Sequence, residues 1–209
     1  MKTRQTLLAL RIAVGPTALG AVPTLLAGPH ETRIRFTGSE YPTGEVFDPG
    51  NTIGLLPDAD GILRARGIVV GGCMALRVPE LQTPDLVIYT RNWANFNLDS
   101  TAGFSGMTWC SWDGYMTDSE GNQVLVAQGF AYGFRRKISD TKWLEQATIV
   151  GLFCNGPLEG VVMNATDTVE SWDPTMATGY MGKVEGVLTV PDSVDLRAHR
   201  GWKPCAHRR

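Results

Sequence analysis

Residues 107–132 read MTWCSWDGYM TDSEGN QVLVAQGFAY, from Met107 to Tyr132. Two β-rich runs, Met107–Met116 and Val124–Tyr132, flank Asp118-Ser119-Glu120-Gly121-Asn122. Acidic and amide side chains cap tight turns and Gly takes a left-handed backbone at no steric cost, so this segment predicts a β-hairpin. The first run carries aromatic residues on both parities. Strand alternation places Trp109, Ser111, Asp113 and Tyr115 on one face and Thr108, Cys110, Trp112 and Gly114 on the other.

The same punctuation recurs on both sides of the hairpin. Ile34–Phe36, Ile62–Val70, Asp85–Arg91, Lys142–Phe153, Leu158–Met163 and Gly179–Val190 bring the set to about eight strand candidates separated by turn signals. Gly (24) and Pro (12) supply the breaks in a chain of 209 residues. Sustained helical periodicity is absent, and Ser139–Gln146 is the one candidate short helix. Open sheets leave unpaired edges, and eight strands close readily into a barrel that removes them. The expectation is an all-β protein with a single antiparallel barrel over residues 29–191, with a β-sandwich as the alternative. Such a barrel has an interior filled by side chains or able to hold one small ligand.

Charge is partitioned along the chain. Residues 1–28 carry Lys2, Arg4 and Arg11 without an acid, and residues 192–209 carry five bases against Asp192 and Asp195. Acids outnumber bases in between, and the sum is -2. An acidic body repels phosphate backbones, which excludes a general nucleic-acid binder. Residues 1–28 read as a signal peptide or disordered arm: a basic start, an apolar run broken by Arg11, and small residues at Leu25-Leu26-Ala27-Gly28. The expected location is therefore secreted or extracytoplasmic. No later stretch approaches the 18 or so apolar residues of a membrane helix. Residues 192–209 read as a flexible basic tail. Cys73, Cys110, Cys154 and Cys205 allow three pairings, and their spacing selects none.

The order Phe36-Thr37-Gly38-Ser39-Glu40-Tyr41, Asp48-Pro49-Gly50, then Leu63-Arg64-Ala65-Arg66-Gly67 resembles that of a group of exported bacterial β-barrel proteins. Asn97-Leu98-Asp99, Gly156-Pro157-Leu158-Glu159-Gly160 and the Gly-rich run Gly179–Leu188 extend the likeness over residues 34–190. Where that group has Gly-Thr-Trp-Glu-Gly-Thr, this chain has Gly106-Met107-Thr108-Trp109-Cys110-Ser111. The expected barrel also resembles in size the allene oxide cyclase and dirigent group. The resemblance implies a fold and lends no catalytic residue.

Histidine narrows the chemistry. His30 precedes the first strand, and His199 and His207 lie in the tail. A nucleophile–histidine unit inside the barrel therefore has no base. His199, Cys205 and His207 lack a fourth ligand, Asp58-Ala59-Asp60-Gly61 lacks the later acids of a calcium loop, and Gly67–Gly72 lacks the lysine and helix of a phosphate cradle. No metal and no cofactor is expected. Tyr89–Asn97 reads as an Asn-rich loop with Trp93 and Phe96 available for sugar stacking.

What remains is an aromatic and polar cluster. Trp109, Trp112, Phe130 and Tyr132 are the expected ligand contacts. If Trp109 and Tyr115 point inward, Asp113 lies between them in an apolar interior. Its carboxyl would then act as a general acid, with Tyr115 as the alternative catalytic group. Arg64 and Arg66 share a face and would hold an anionic head group or pair with Glu145, Glu159 or Asp113. The leading expectation is an exported barrel that binds a small apolar or amphipathic ligand in its interior. A cofactor-free cyclase or isomerase and a virion or envelope component are the alternatives.

Overall fold

A computed structural model of the chain describes residues 30–79, 85–172 and 179–202. Eight antiparallel strands form one closed barrel in chain order, each paired with its neighbour in sequence and the last with the first. They are β1 (Glu31–Asp48), β2 (Ile62–Arg77), β3 (Leu86–Asp99), β4 (Ser105–Thr117), β5 (Gln123–Ser139), β6 (Lys142–Phe153), β7 (Val162–Ser171) and β8 (Tyr180–Pro191). The sandwich alternative is thereby set aside. Closure is made by the β1–β8 pairing, from Glu31 opposite Pro191 to Glu40 opposite Gly182.

Local sequence explains the hairpins. At β4–β5, Asp118 Oδ1 accepts from the backbone N–H groups of Glu120 (2.9 Å) and Asn122 (2.8 Å), while Gly121 takes φ 92°. The expected helix at 139–146 is instead the tight β5–β6 turn, in which Ser139 pairs with Lys142 and Trp143 pairs with Ser171. Residues 89–97 are also strand rather than loop. Their Asn side chains stabilise the neighbour: Asn95 Oδ1 accepts from Gly67 N (3.2 Å) and Asn97 Oδ1 from Arg66 Nη2 (2.6 Å). These bonds hold a β2 bulge between Ala65 and Ile68, where Gly67 has φ 69°.

Alternation divides every strand into an inner and an outer face. Inside, one cluster that includes Met74, Leu76, Ile88, Trp112, Phe153, Met163 and Leu188 fills one end. Burial of each such side chain contributes about 1.5–3 kcal/mol. That end is closed by 3-10 turns at Gly156–Leu158 and Leu196–Gly201. Leu196 is buried there and Trp202 packs against the cluster, so residues 192–202 are docked rather than a free tail. Ala65, Ile68, Val70, Phe96 and Leu98 form a second cluster towards the other end. Residues 1–28 and the tail residues Cys205 and His207 lie outside the described residues.

Candidate functional site

Between the two clusters the lumen keeps a cavity of about 100 Å³. Its wall is mostly apolar: Ile68, Val70, Ala94, Phe96, Ala131, Ala147, Ile149 and Val169 border it. Set into this wall are Glu40 on β1, Asn92 on β3, Thr108 on β4, Glu145 on β6, Asp167 on β7 and Tyr180 on β8. Three acids thus converge from three strands on one cavity.

Register explains how they meet. Asp167 lies opposite Ala147 on β6, so Glu145 is its diagonal neighbour on the inner face. Gly182 stands between Asp167 and Glu40. A Cβ built on Gly182 would fall 2.6 Å from Asp167 Oδ1, so the missing side chain is what lets Asp167 reach across β8 to hydrogen-bond Glu40. Gly72 does the same for the hydroxyls: a Cβ there would lie 2.7 Å from Thr90 Oγ1 and 3.2 Å from Tyr180 Oη. Tyr180 Oη donates to Glu40 Oε1 at 3.2 Å, and Thr108 Oγ1 donates to Glu145 Oε1 at 2.6 Å.

The environment sets the protonation states. Burial, followed by the charge of Glu40, pushes the Asp167 carboxyl far up from the ordinary carboxylate range. Burial also raises Glu145, opposed by the Thr108 hydroxyl and by the Arg135 guanidinium. Tyr180 is held well above the usual phenol value by burial and by Glu40. Arg135 is fully buried, directly across the strands from Glu145, with its guanidinium 4.9 Å from the centre of the Trp143 ring. Burial pushes the Cys110 thiol up to about 12, so it is an inert part of the wall.

Three polar atoms bordering the cavity have no hydrogen-bond partner among the described residues: Glu145 Oε2, Asp167 Oδ1 and Trp112 Nε1. Buried polar groups are normally satisfied, so these three are aligned for something the barrel itself does not provide.

No family model, curated protein or solved structure matches this chain. The geometry therefore stands by itself, and it corrects the expected site. The inner face of β4 is Thr108, Cys110, Trp112, Gly114 and Met116, which puts Asp113 and Tyr115 on the outside. Asp113 accepts from Gln128 Nε2 at 2.9 Å and from the Tyr115 hydroxyl at 3.4 Å, and Tyr115 lies 6.3 Å from the Tyr89 ring. The parity is decided by Trp112: side chains at Gly129 and Gly151 would collide with its ring and one at Gly114 would crowd it, so this indole fits only the lumen.

Trp112 borders the cavity from inside. Trp109 and Tyr132 border it from the wall, on the outward-facing parity. Phe130 does not border it; with Tyr132, Phe134, Met107, Val150 and Leu152 it makes an exposed apolar stripe on the outside of β4–β6. Arg64 is bound to Asp58 and Asp60 (both 2.6 Å) in the β1–β2 connection, not to Glu145, Glu159 or Asp113. Arg66 lies over the Trp109 ring at 4.8 Å and donates to Phe96 O. Neither arginine borders the cavity.

The acids that do border it were visible in the sequence as residues of the wrong polarity for their parity. Glu145 stands in register with Trp143, Ala147 and Ile149, and Asp167 with Ala165 and Val169. Among the described residues no group of His, Cys, Asp and Glu is arranged to hold a metal ion. No helix among the described residues is long and apolar enough to cross a membrane, which says nothing about spanning by strands. The three described cysteines form no disulfide.

Proposed function

We propose that this barrel binds a small apolar or amphipathic molecule in its interior. The supporting observation is the lumen cavity, an apolar wall interrupted by a compact polar cluster, which is the composition expected of a ligand pocket. A volume of about 100 Å³ is smaller than the roughly 150 Å³ cavity that accepts benzene. The occupant is therefore a few heavy atoms in size, or enters with one end only. We also read the protein as exported, on the basic and apolar pattern of residues 1–28.

Native mass spectrometry of the protein purified from its own source tests the binding reading. A co-purified small molecule, lost when Ala94→Leu fills the cavity from β3, is the expected result. Indifference of the bound species to that substitution would place it elsewhere and overturn the reading.

One observation favours a second reading, a cofactor-free isomerase. Asp167 borders the cavity and hydrogen-bonds Glu40, and burial together with the Glu40 charge pushes its carboxyl up, so it is placed to hand a proton to a bound molecule. Incubation of the co-purified molecule with the protein in D2O is the test: carbon-bound deuterium supports isomerisation, and its absence rejects it.

A further inference from the structure

The lumen is short of hydrogen-bond donors, and short of positive charge whenever its carboxyls ionise. Its titratable and charged groups are Glu40 on β1, Cys110 on β4, Arg135 on β5, Glu145 on β6, Asp167 on β7 and Tyr180 on β8. Three carboxyls face one guanidinium, and that guanidinium is already engaged with the Trp143 ring. Donors are short as well. The Tyr180 and Thr108 hydroxyls each serve one carboxylate oxygen, and Glu145 Oε2 and Asp167 Oδ1 remain without a partner among the described residues. Both residues are more than nine-tenths buried and both border the cavity.

A ligand bearing a carboxylate or phosphate would add acceptors where they are already in excess, and a negative charge beside carboxyls that burial already keeps from ionising. An ammonium group carries three donors, no acceptor and a positive charge. It answers both deficits at once, through charge-assisted hydrogen bonds, which are the stronger kind. The apolar wall supplies the complementary surface: Ile68 and Val70 on β2 and Ile149 on β6 are placed to cover an alkyl chain.

We propose that the lumen site takes a small primary amine, bound as the alkylammonium, with its nitrogen donating to Glu145 Oε2 and Asp167 Oδ1 and its alkyl part on Ile68, Val70 and Ile149. This inference rests on the interior-binding reading above and adds the chemical class of the head group. Trp112 Nε1 is the one unpartnered donor bordering the cavity among the described residues, and it would meet an oxygen carried further along the ligand. Entry of a cation favours the ionised form of the carboxyl pair, so the Asp167 proton leaves as the amine binds. Amine affinity consequently rises with pH until the free amine itself loses its charge, at about pH 10.

The test uses three probes of equal chain length, n-butylammonium, 1-butanol and butyrate, with the full chain at about pH 8. Methyl resonances of Ile68, Val70 and Ile149 report occupancy of the lumen. Calorimetry in buffers of different ionisation enthalpy counts protons released. The expected result is butylammonium binding at least about tenfold tighter than 1-butanol, with proton release and no binding of butyrate. In the Glu145→Gln, Asp167→Asn double variant the amine should lose that advantage while 1-butanol binding stays, which also shows that the variant is folded. Lumen binding of 1-butanol or butyrate as tight as the amine, or amine binding without proton release, overturns the amine assignment and leaves interior binding standing. No lumen shift with any of the three probes overturns both readings.

Discussion

Replacing Asp167 by Asn should flatten the dependence of stability on pH between about pH 5 and pH 8. Burial first, and then the Glu40 charge, holds this carboxyl far above the ordinary carboxylate range in the folded protein. Below about pH 4 the group is protonated in folded and unfolded chains alike, and the shift has no effect on stability. Above that, the unfolded chain releases the proton and the folded chain retains it, so rising pH favours unfolding. One retained proton gives a slope of about 1.4 kcal/mol per pH unit, or about 4 kcal/mol over three units. That is a large share of the roughly 5–15 kcal/mol that holds a typical domain together. Asn cannot ionise, so the variant should gain on the wild type by about this amount between the two ends of the window. Glu145 adds its own slope to both proteins and largely cancels in the difference. Urea unfolding followed by tryptophan fluorescence, at constant ionic strength and across the window, gives the two curves; equal m-values license the comparison. Parallel curves would refute the reasoning, because they would mean that the folded barrel does not hold a proton on Asp167.

Gly182→Ala should destabilise by about 1–3 kcal/mol, since the new methyl overlaps the buried Asp167 carboxyl and can be relieved only by breaking its hydrogen bond to Glu40; a urea midpoint equal to the wild type contradicts the packing described at β8. Gly129→Ala places a methyl in the Trp112 ring, and the near-ultraviolet circular dichroism of that indole should change together with a fall in melting temperature. Cys154 is exposed, whereas the half-buried Cys110 thiol is raised to about 12, so iodoacetamide should label Cys154 in the native protein and Cys110 only after unfolding, as mapped by peptide mass spectrometry. Asp113→Asn should leave lumen binding of n-butylammonium unchanged within error by calorimetry, because Asp113 faces outward.

The eight-strand count was legible in the sequence because turn chemistry is local. Asp118 and Gly121 determine their own turn whatever the rest of the chain does. Strand lengths were less legible: residues 89–97 contain three Asn, and local propensity assigns them to a loop. What overrides propensity is a tertiary need. The bulge at Arg66-Gly67 leaves backbone and guanidinium donors that Asn95 and Asn97 accept. Alternation on β4 was read correctly and its direction was not, because a strand with aromatic residues on both faces does not say which is inside. The deciding information lies on other strands. Gly114, Gly129 and Gly151 belong to β4, β5 and β6, and together they vacate the volume that one indole fills. The polar cluster follows the same rule. Gly72 and Gly182 vacate space for the Tyr180 hydroxyl and the Asp167 carboxyl, so Asp167 is readable as functional only once Gly182 on the adjoining strand is placed beside it. In a closed barrel the inward glycines mark where large or polar inward side chains from neighbouring strands must go. An acid on an apolar parity diagonal to such a glycine is therefore a sharper signal of a lumen site than an acid flanked by aromatics along its own strand, which is the pattern that pointed to Asp113.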